Sequence, residues 1–210
     1  MRKGILALFI VFLMTNFGFA EDKPPAGYQG PIAEMPKLSK GDRWDYERRG
    51  KVVSYELTEE NIGQLVFQLQ WDDGSKETEG YTPDLNFFKK IDYKGEIAET
   101  VTPYRGSFSF PLWVGKKWSY SWQTSKTKQA ASLSQMWDSH VKVAAYEQVK
   151  VPAGTFWAFK IEEVRSNRGA KHPKAYHVTT WYSPNVKLPV KVEEDEDAYN
   201  RNLIKYMPAK

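Results

Sequence analysis

The hexapeptide Gly41-Asp42-Arg43-Trp44-Asp45-Tyr46 returns later in the chain as Gly115-Lys116-Lys117-Trp118-Ser119-Tyr120. In both copies Trp and Tyr stand two apart, the period of a β-strand, and a glycine ends the turn before them. Each copy therefore places two large rings on one face of a sheet. Outward from these phrases, the chain after Gly41 is a succession of short β-type runs separated by turn signals, with no helical period sustained beyond a turn or two. The runs fall at 43–49, 52–58, 65–71, 86–93, 96–102, 117–124, 139–149, 156–164, 176–183, 188–194 and 199–207. Arg49-Gly50-Lys51, Asp72-Asp73-Gly74-Ser75 and Lys94-Gly95 mark tight hairpins, where glycine accepts the positive φ of the turn.

Alternation is clean in several runs. Leu65, Phe67, Leu69 and Trp71 lie opposite Gln68 and Gln70, and Leu188, Val190 and Val192 lie opposite Lys191 and Glu193. The pattern predicts an all-β domain over 41–210: an antiparallel up-and-down meander of about ten strands, curled into an open or half barrel. Segment 126–138, with Ala130, Ala131, Leu133, Met136 and Trp137, reads either as a short helix or lid or as a loose connection.

Ahead of this domain, 21–40 holds Pro24, Pro25, Pro31 and Pro36 with few branched apolar residues and reads as an irregular arm. Residues 1–20 read as a secretory signal peptide, with Arg2 and Lys3, an apolar run over 5–14, and Gly18-Phe19-Ala20 before a cleavage point. The apolar run is too short for a spanning helix, so an exported protein, periplasmic or secreted, is expected rather than an integral membrane protein. The chain has no cysteine, which excludes disulfides, thiolate metal sites, thiol catalysis and attachment of lipid to an N-terminal cysteine. The formal charge of +4 is small, and bases are interleaved with acids as in Lys160-Ile161-Glu162-Glu163, which argues against nucleic acid as partner.

Several phrases together resemble a known group. Val151-Pro152-Ala153-Gly154-Thr155-Phe156, Thr180-Trp181-Tyr182-Ser183-Pro184 and Pro189-Val190-Lys191 resemble the "VPAGTF…WYSP…VK" pattern of uncharacterised exported bacterial proteins. Pro111-Leu112-Trp113-Val114-Gly115-Lys116-Lys117-Trp118 resembles a further segment of that group, and the likeness extends over roughly 41–207. The resemblance implies an antiparallel open barrel in the cell envelope, akin to lipoprotein-carrier half-barrels. It brings no catalytic residues with it.

No constellation for chemistry stands out. His140, His172 and His177 lack the spacing of a zinc pair, so no metal is expected. The run Glu193-Glu194-Asp195-Glu196-Asp197 lacks the spaced ligands and central glycine of a calcium loop and reads as a solvated hairpin. There is no G-x-S-x-G elbow and no phosphate loop, so neither an enzyme nor a cofactor is expected.

Aromatic residues are the remaining signal: eight Trp, twelve Tyr and eleven Phe. Trp44, Tyr46, Trp118, Tyr120, Trp122 and Trp181 form the candidate ligand-binding set, as either an aromatic core or the wall of a cavity. The expected function is non-enzymatic binding of an apolar or amphipathic ligand, such as a lipid, an acyl chain or a lipidated peptide, on that curved face. The alternatives are a structural or adaptor protein that docks another envelope protein through the arm or a strand edge, and carbohydrate binding through exposed Trp.

Overall fold

The structure is a computed structural model that describes residues 23–128, 131–169, 174–195 and 199–209. The expected signal peptide lies outside these residues, as does His172. In chain order the strands are β1 (Ile32–Ala33), β2 (Arg43–Arg48), β3 (Lys51–Asn61), β4 (Gln64–Trp71), β5 (Lys76–Tyr81), β6 (Phe87–Ile91), β7 (Ile97–Arg105), β8 (Leu112–Trp113), β9 (Lys117–Lys128), β10 (Ala131–Val151), β11 (Gly154–Arg168), β12 (Ala175–Ser183), β13 (Leu188–Glu194) and β14 (Arg201–Met207).

The all-β antiparallel meander is present, and it closes. Twelve strands form one barrel in which β2 to β7 and β9 to β14 each pair with their neighbour, while β1 and β8 form a separate two-stranded ladder. Closure comes from β14 pairing with β2, with Met207 opposite Arg43 and Leu203 opposite Tyr46. An open sheet would leave the N–H and C=O groups of both strands unpaired along two edges, and closure removes both edges at once.

Local sequence explains the hairpins. β2 and β3 are joined by Arg49 and Gly50 at φ 55 and 69, the left-handed pair of a two-residue turn. Gly74 and Gly95 also sit at positive φ in the turns read from the sequence. The described residues of segment 126–138, which are 126–128 and 131–138, form neither a helix or lid nor a loose connection. They lie in two long strands, with Leu133 opposite Lys126, Met136 opposite Gln123 and Trp137 opposite Trp122. The Trp pair stacks at 5.5 Å, a cross-strand contact that favours a ladder over a helix.

The interior is divided along the barrel axis. Toward one end it is filled with rings and aliphatic chains, including Trp44, Tyr46, Phe67, Phe108, Phe159 and Tyr182, all buried. The segment between β7 and β9 packs on this end: Phe108 stacks on Phe110 at 5.7 Å, and both meet Tyr182 edge-on. Asn86 holds the segment by donating to the Phe108 carbonyl and accepting from the Phe108 N–H, both at 2.9 Å. Lys116 is buried and donates to the carbonyls of Ser109 and Pro111 at 2.7 and 2.9 Å. The proline-rich arm lies against this cap. Ala33 pairs with Leu112, the Val114 N–H donates to the Tyr28 hydroxyl at 3.1 Å, and Ala33 and Leu38 are buried in the core.

Candidate functional site

Past the ring-filled end, the inward positions change character. On β11 the inward residues run Ile161, Glu163, Arg165 and Asn167, on β9 they run Trp118, Tyr120, Trp122 and Thr124, and on β14 Arg201 follows Leu203. This belt surrounds two adjoining cavities. The inner one, about 170 Å³, is lined by Arg105, Arg165, Arg201, Glu79, Glu99 and Glu194 together with Tyr55, Tyr81, Phe87 and Phe108. The outer one, about 260 Å³, shares Glu99, Arg105, Arg165 and Glu194 with it and adds Trp122, Trp137, Tyr176 and the exposed His177 and Asp195, so it reaches solvent. A third space of about 40 Å³, walled by Tyr46, Phe67, Leu188 and other apolar groups, joins the inner cavity at Tyr55, Tyr81 and Arg201.

The belt's charges are ordered by one another. Arg165 grips Glu163 through Nε at 2.8 Å and Nη2 at 2.9 Å, and reaches Glu194 at 3.4 Å. The Tyr120 hydroxyl also donates to Glu163, and the Ser107 hydroxyl donates to the same carboxylate at 3.2 Å. Burial alone would raise the Glu163 carboxyl, but the Arg165 charge and its hydrogen bonds, with that of Tyr120, outweigh it and hold the pKa at about 2. Glu99 is shared by Arg105 at 3.3 Å, Lys126 at 3.8 Å and the Thr124 hydroxyl at 3.0 Å. Tyr81 donates to Glu79 at 2.6 Å. Burial pushes the Tyr46, Tyr55, Tyr81 and Tyr120 phenols up, so at neutral pH these groups are neutral donors rather than bases.

Rings line the outer cavity around the cations. Arg105 lies 4.8 Å from the Trp122 ring and 5.4 Å from Phe87, and Trp137 meets Tyr176 edge-on at 5.6 Å. A lumen with carboxylates, fixed guanidinium groups and aromatic walls has the chemistry to hold a ligand with both polar and apolar parts. The short Ser119–His140 contact of 2.8 Å lies on the exposed outer face, where the two residues are cross-strand partners on β9 and β10. Among the described residues, no carboxylate hydrogen-bonds that imidazole to orient it as in a catalytic triad.

The six aromatic residues singled out in the sequence divide into four groups. Trp122 lines the outer cavity, and Tyr46 lines the small apolar one. Tyr120 stands beside the cavities, with its hydroxyl on Glu163. Trp44 and Trp118 are packed interior residues whose indole N–H groups donate to the carbonyls of Val186 and Gly106 at 2.7 and 2.8 Å. Trp181 neighbours the cavity-lining Thr180 and so points away from the lumen, yet it is buried with the hydrophobic cluster, donating to Glu147 at 2.9 Å with Lys191 4.9 Å from its ring. The charged belt was missed by the sequence reading. Its signal was alternation with charge on the inward side, as in Glu163 and Arg165 two apart beyond Ile161.

The acidic run is largely engaged in pairs. Glu193 bonds Lys191 at 2.6 Å, Glu194 faces Arg165, and Asp195 accepts from the His177 backbone N–H at 2.8 Å. Glu196 and Asp197 lie outside the described residues. Among the described residues no three His, Asp or Glu side chains are placed to hold a metal ion, and no helix is long and apolar enough to cross a membrane.

The fold is similar to that of the hypothetical lipoprotein YmcC from Escherichia coli, at 12% identity and a TM-score of 0.52, covering 81% of this chain and 87% of that one. A Bacteroides fragilis protein with a YmcC-like fold, predicted to be exported, is similar at 15% identity and a TM-score of 0.46, covering 83% of this chain and 99% of that one. Among curated proteins none matches this sequence. The pattern of the DUF3108-like family spans residues 52–204, and the chain belongs to that family.

Proposed function

We propose that this chain is a non-enzymatic envelope protein that binds an amphipathic ligand inside its barrel. One observation carries the reading: a closed barrel packed with rings at one end keeps adjoining cavities at the other, lined by both aromatic faces and fixed charges. Ligand cavities combine apolar walls with a few placed polar groups in this way, and barrel mouths are a common place for them. Export is supported by the N-terminal sequence pattern.

The arm is less suited to docking a partner. Its Tyr28, Ala33 and Leu38 are already engaged against the chain's own cap. A carbohydrate reading has one observation in its favour: Trp157 is 48% exposed and stacks flat on Tyr146 at 5.3 Å on the barrel surface. Loss of that ring would abolish sugar binding without touching the lumen.

The test is to purify the protein from its native envelope under non-denaturing conditions and identify what co-elutes by mass spectrometry. A stoichiometric amphiphile supports the reading. No bound small molecule, together with Trp emission unmoved by amphiphile monomers, ends it.

A further inference from the structure

Arg201 occupies the junction of the charged inner cavity and the small apolar space below it. Its guanidinium lies 5.1 and 5.3 Å from the rings of Tyr46 and Tyr55, and one Nη donates to the Tyr55 hydroxyl at 3.2 Å. Its Nε is buried and has no acceptor among the described residues. The belt's carboxylates are engaged elsewhere: Glu99 with Arg105 and Lys126, Glu163 and Glu194 with Arg165. Glu79 contributes to the field at Arg201 but takes the Tyr81 hydroxyl and makes no ion pair with the guanidinium. Arg105, in the wall of the same cavity, shares only part of this pattern: its buried Nε has no acceptor among the described residues, while one Nη bonds Glu99 at 3.3 Å.

A desolvated guanidinium without a carboxylate partner is costly, and its planar fork matches the oxygens of a carboxylate or a phosphate. We infer that Arg201, with Arg105 in the same wall, anchors the anionic head group of an amphipathic ligand, a carboxylate or a phosphate. This rests on the lumen-binding reading above and gives the ligand a charge and an orientation. The space below Arg201 is about 40 Å³, room for only a few atoms. The apolar part of the ligand therefore runs the other way, through the outer cavity past Trp122, Trp137 and Tyr176.

The experiment is calorimetric titration of the wild-type protein, Arg201→Met and Arg201→Lys with decanoate, decyl phosphate, decanol and inorganic phosphate, with a thermal melt of each unliganded protein. The expected result is that at least one of the two anionic amphiphiles binds wild type tenfold or more tighter than decanol. Arg201→Met should bring that anion to the level of decanol and leave decanol unchanged, and Arg201→Lys should keep part of the preference. Decanoate against decyl phosphate tells which head group is held. Unliganded Arg201→Met should melt at or above the wild-type temperature, because the substitution removes a buried charge that has no ion-pair partner among the described residues.

If decanol binds wild type as tightly as the anions, or Arg201→Met leaves anion binding unchanged, the anchor is overturned while lumen binding stands. Inorganic phosphate bound as tightly as decyl phosphate, and lost in Arg201→Met, keeps the anionic anchor but removes the amphiphile. An Arg201→Met chain that melts well below wild type makes Arg201 a structural cation, and the assignment falls. Binding of none of the four probes overturns both readings.

Discussion

Trp44 donates its indole N–H to the Val186 carbonyl at 2.7 Å, tying the first barrel strand to the β12–β13 turn across 142 residues of chain. Two positions on, the Tyr46 hydroxyl donates to the Pro189 carbonyl at 2.8 Å, so the two rings of the opening phrase end on that turn and on the start of β13 beside it. Trp44→Phe would leave a buried carbonyl unpaired and a void in the ring-filled end, costing about 2–4 kcal/mol. Tyr46→Phe removes only a hydroxyl and should cost about 1–2 kcal/mol. Urea unfolding of the two variants should rank them in that order. The reverse ranking would mean that the Pro189 bond, rather than the Trp44 ring, is the stronger tie between β2 and the β12–β13 region.

Acid should strip stability from the belt in a defined window. Folding lowers the Glu163 pKa from its ordinary 4.5 to about 2, because Arg165 and Tyr120 favour the carboxylate more than burial opposes it. The ionised form is favoured in the folded state, so its contribution is fully present above about pH 4.5 and is lost as pH falls toward 2. The linkage is on the order of 3 kcal/mol. Denaturation midpoints measured from pH 6 downward should therefore fall across that window in wild type and fall much less in Glu163→Gln.

At neutral pH, Glu163→Gln leaves Arg165 facing only Glu194 at 3.4 Å in a buried setting. Breaking a buried pair from one side costs about 3–5 kcal/mol, whereas replacing both partners by neutral groups costs far less. Glu163→Gln with Arg165→Met should accordingly be more stable than Glu163→Gln alone. A double-mutant cycle in denaturant reads the coupling, and simple additivity would show that the pair is not the organising contact of the belt.

The meander was legible because its turns and alternation are local. Arg49-Gly50 and Asp72-Asp73-Gly74 announce hairpins, and β4 reads as a strand from Leu65, Phe67 and Leu69 alone. β5 was missed: Lys76-Glu77-Thr78-Glu79-Gly80-Tyr81 lacks an apolar inner face, because its inward Glu79 faces a charged cavity instead of a hydrocarbon core. Closure was also beyond local reading, since the pairing of Leu203 with Tyr46 joins the two ends of the domain. The binding set was legible as rings but not as their separate fates. Period two places Trp118, Tyr120 and Trp122 on one face, yet only the depth of each along the barrel decides whether it meets packed core, the Glu163 cluster or a cavity. Arg105, Arg165 and Arg201 come from three distant strands, and no spacing in the sequence brings them together.

Ligand entry should report through one tryptophan pair. Trp122 stacks on Trp137 beside Arg105 in the outer cavity, so a ligand there changes the polarity around the ring and its distance to a fixed charge. Trp181 lies on the other face with its N–H committed to Glu147 and should be insensitive. Titrating decanoate into Trp122→Phe should give less than half of the wild-type emission change, whereas Trp181→Phe should keep most of it. Binding affinity, read separately by calorimetry, distinguishes a lost reporter from a lost site: stacking of the ligand on Trp122 predicts a several-fold weaker complex in Trp122→Phe. A signal that disappears with Trp181→Phe instead would move the ligand from the lumen to the outer face of β12 and withdraw the cavity from the binding role.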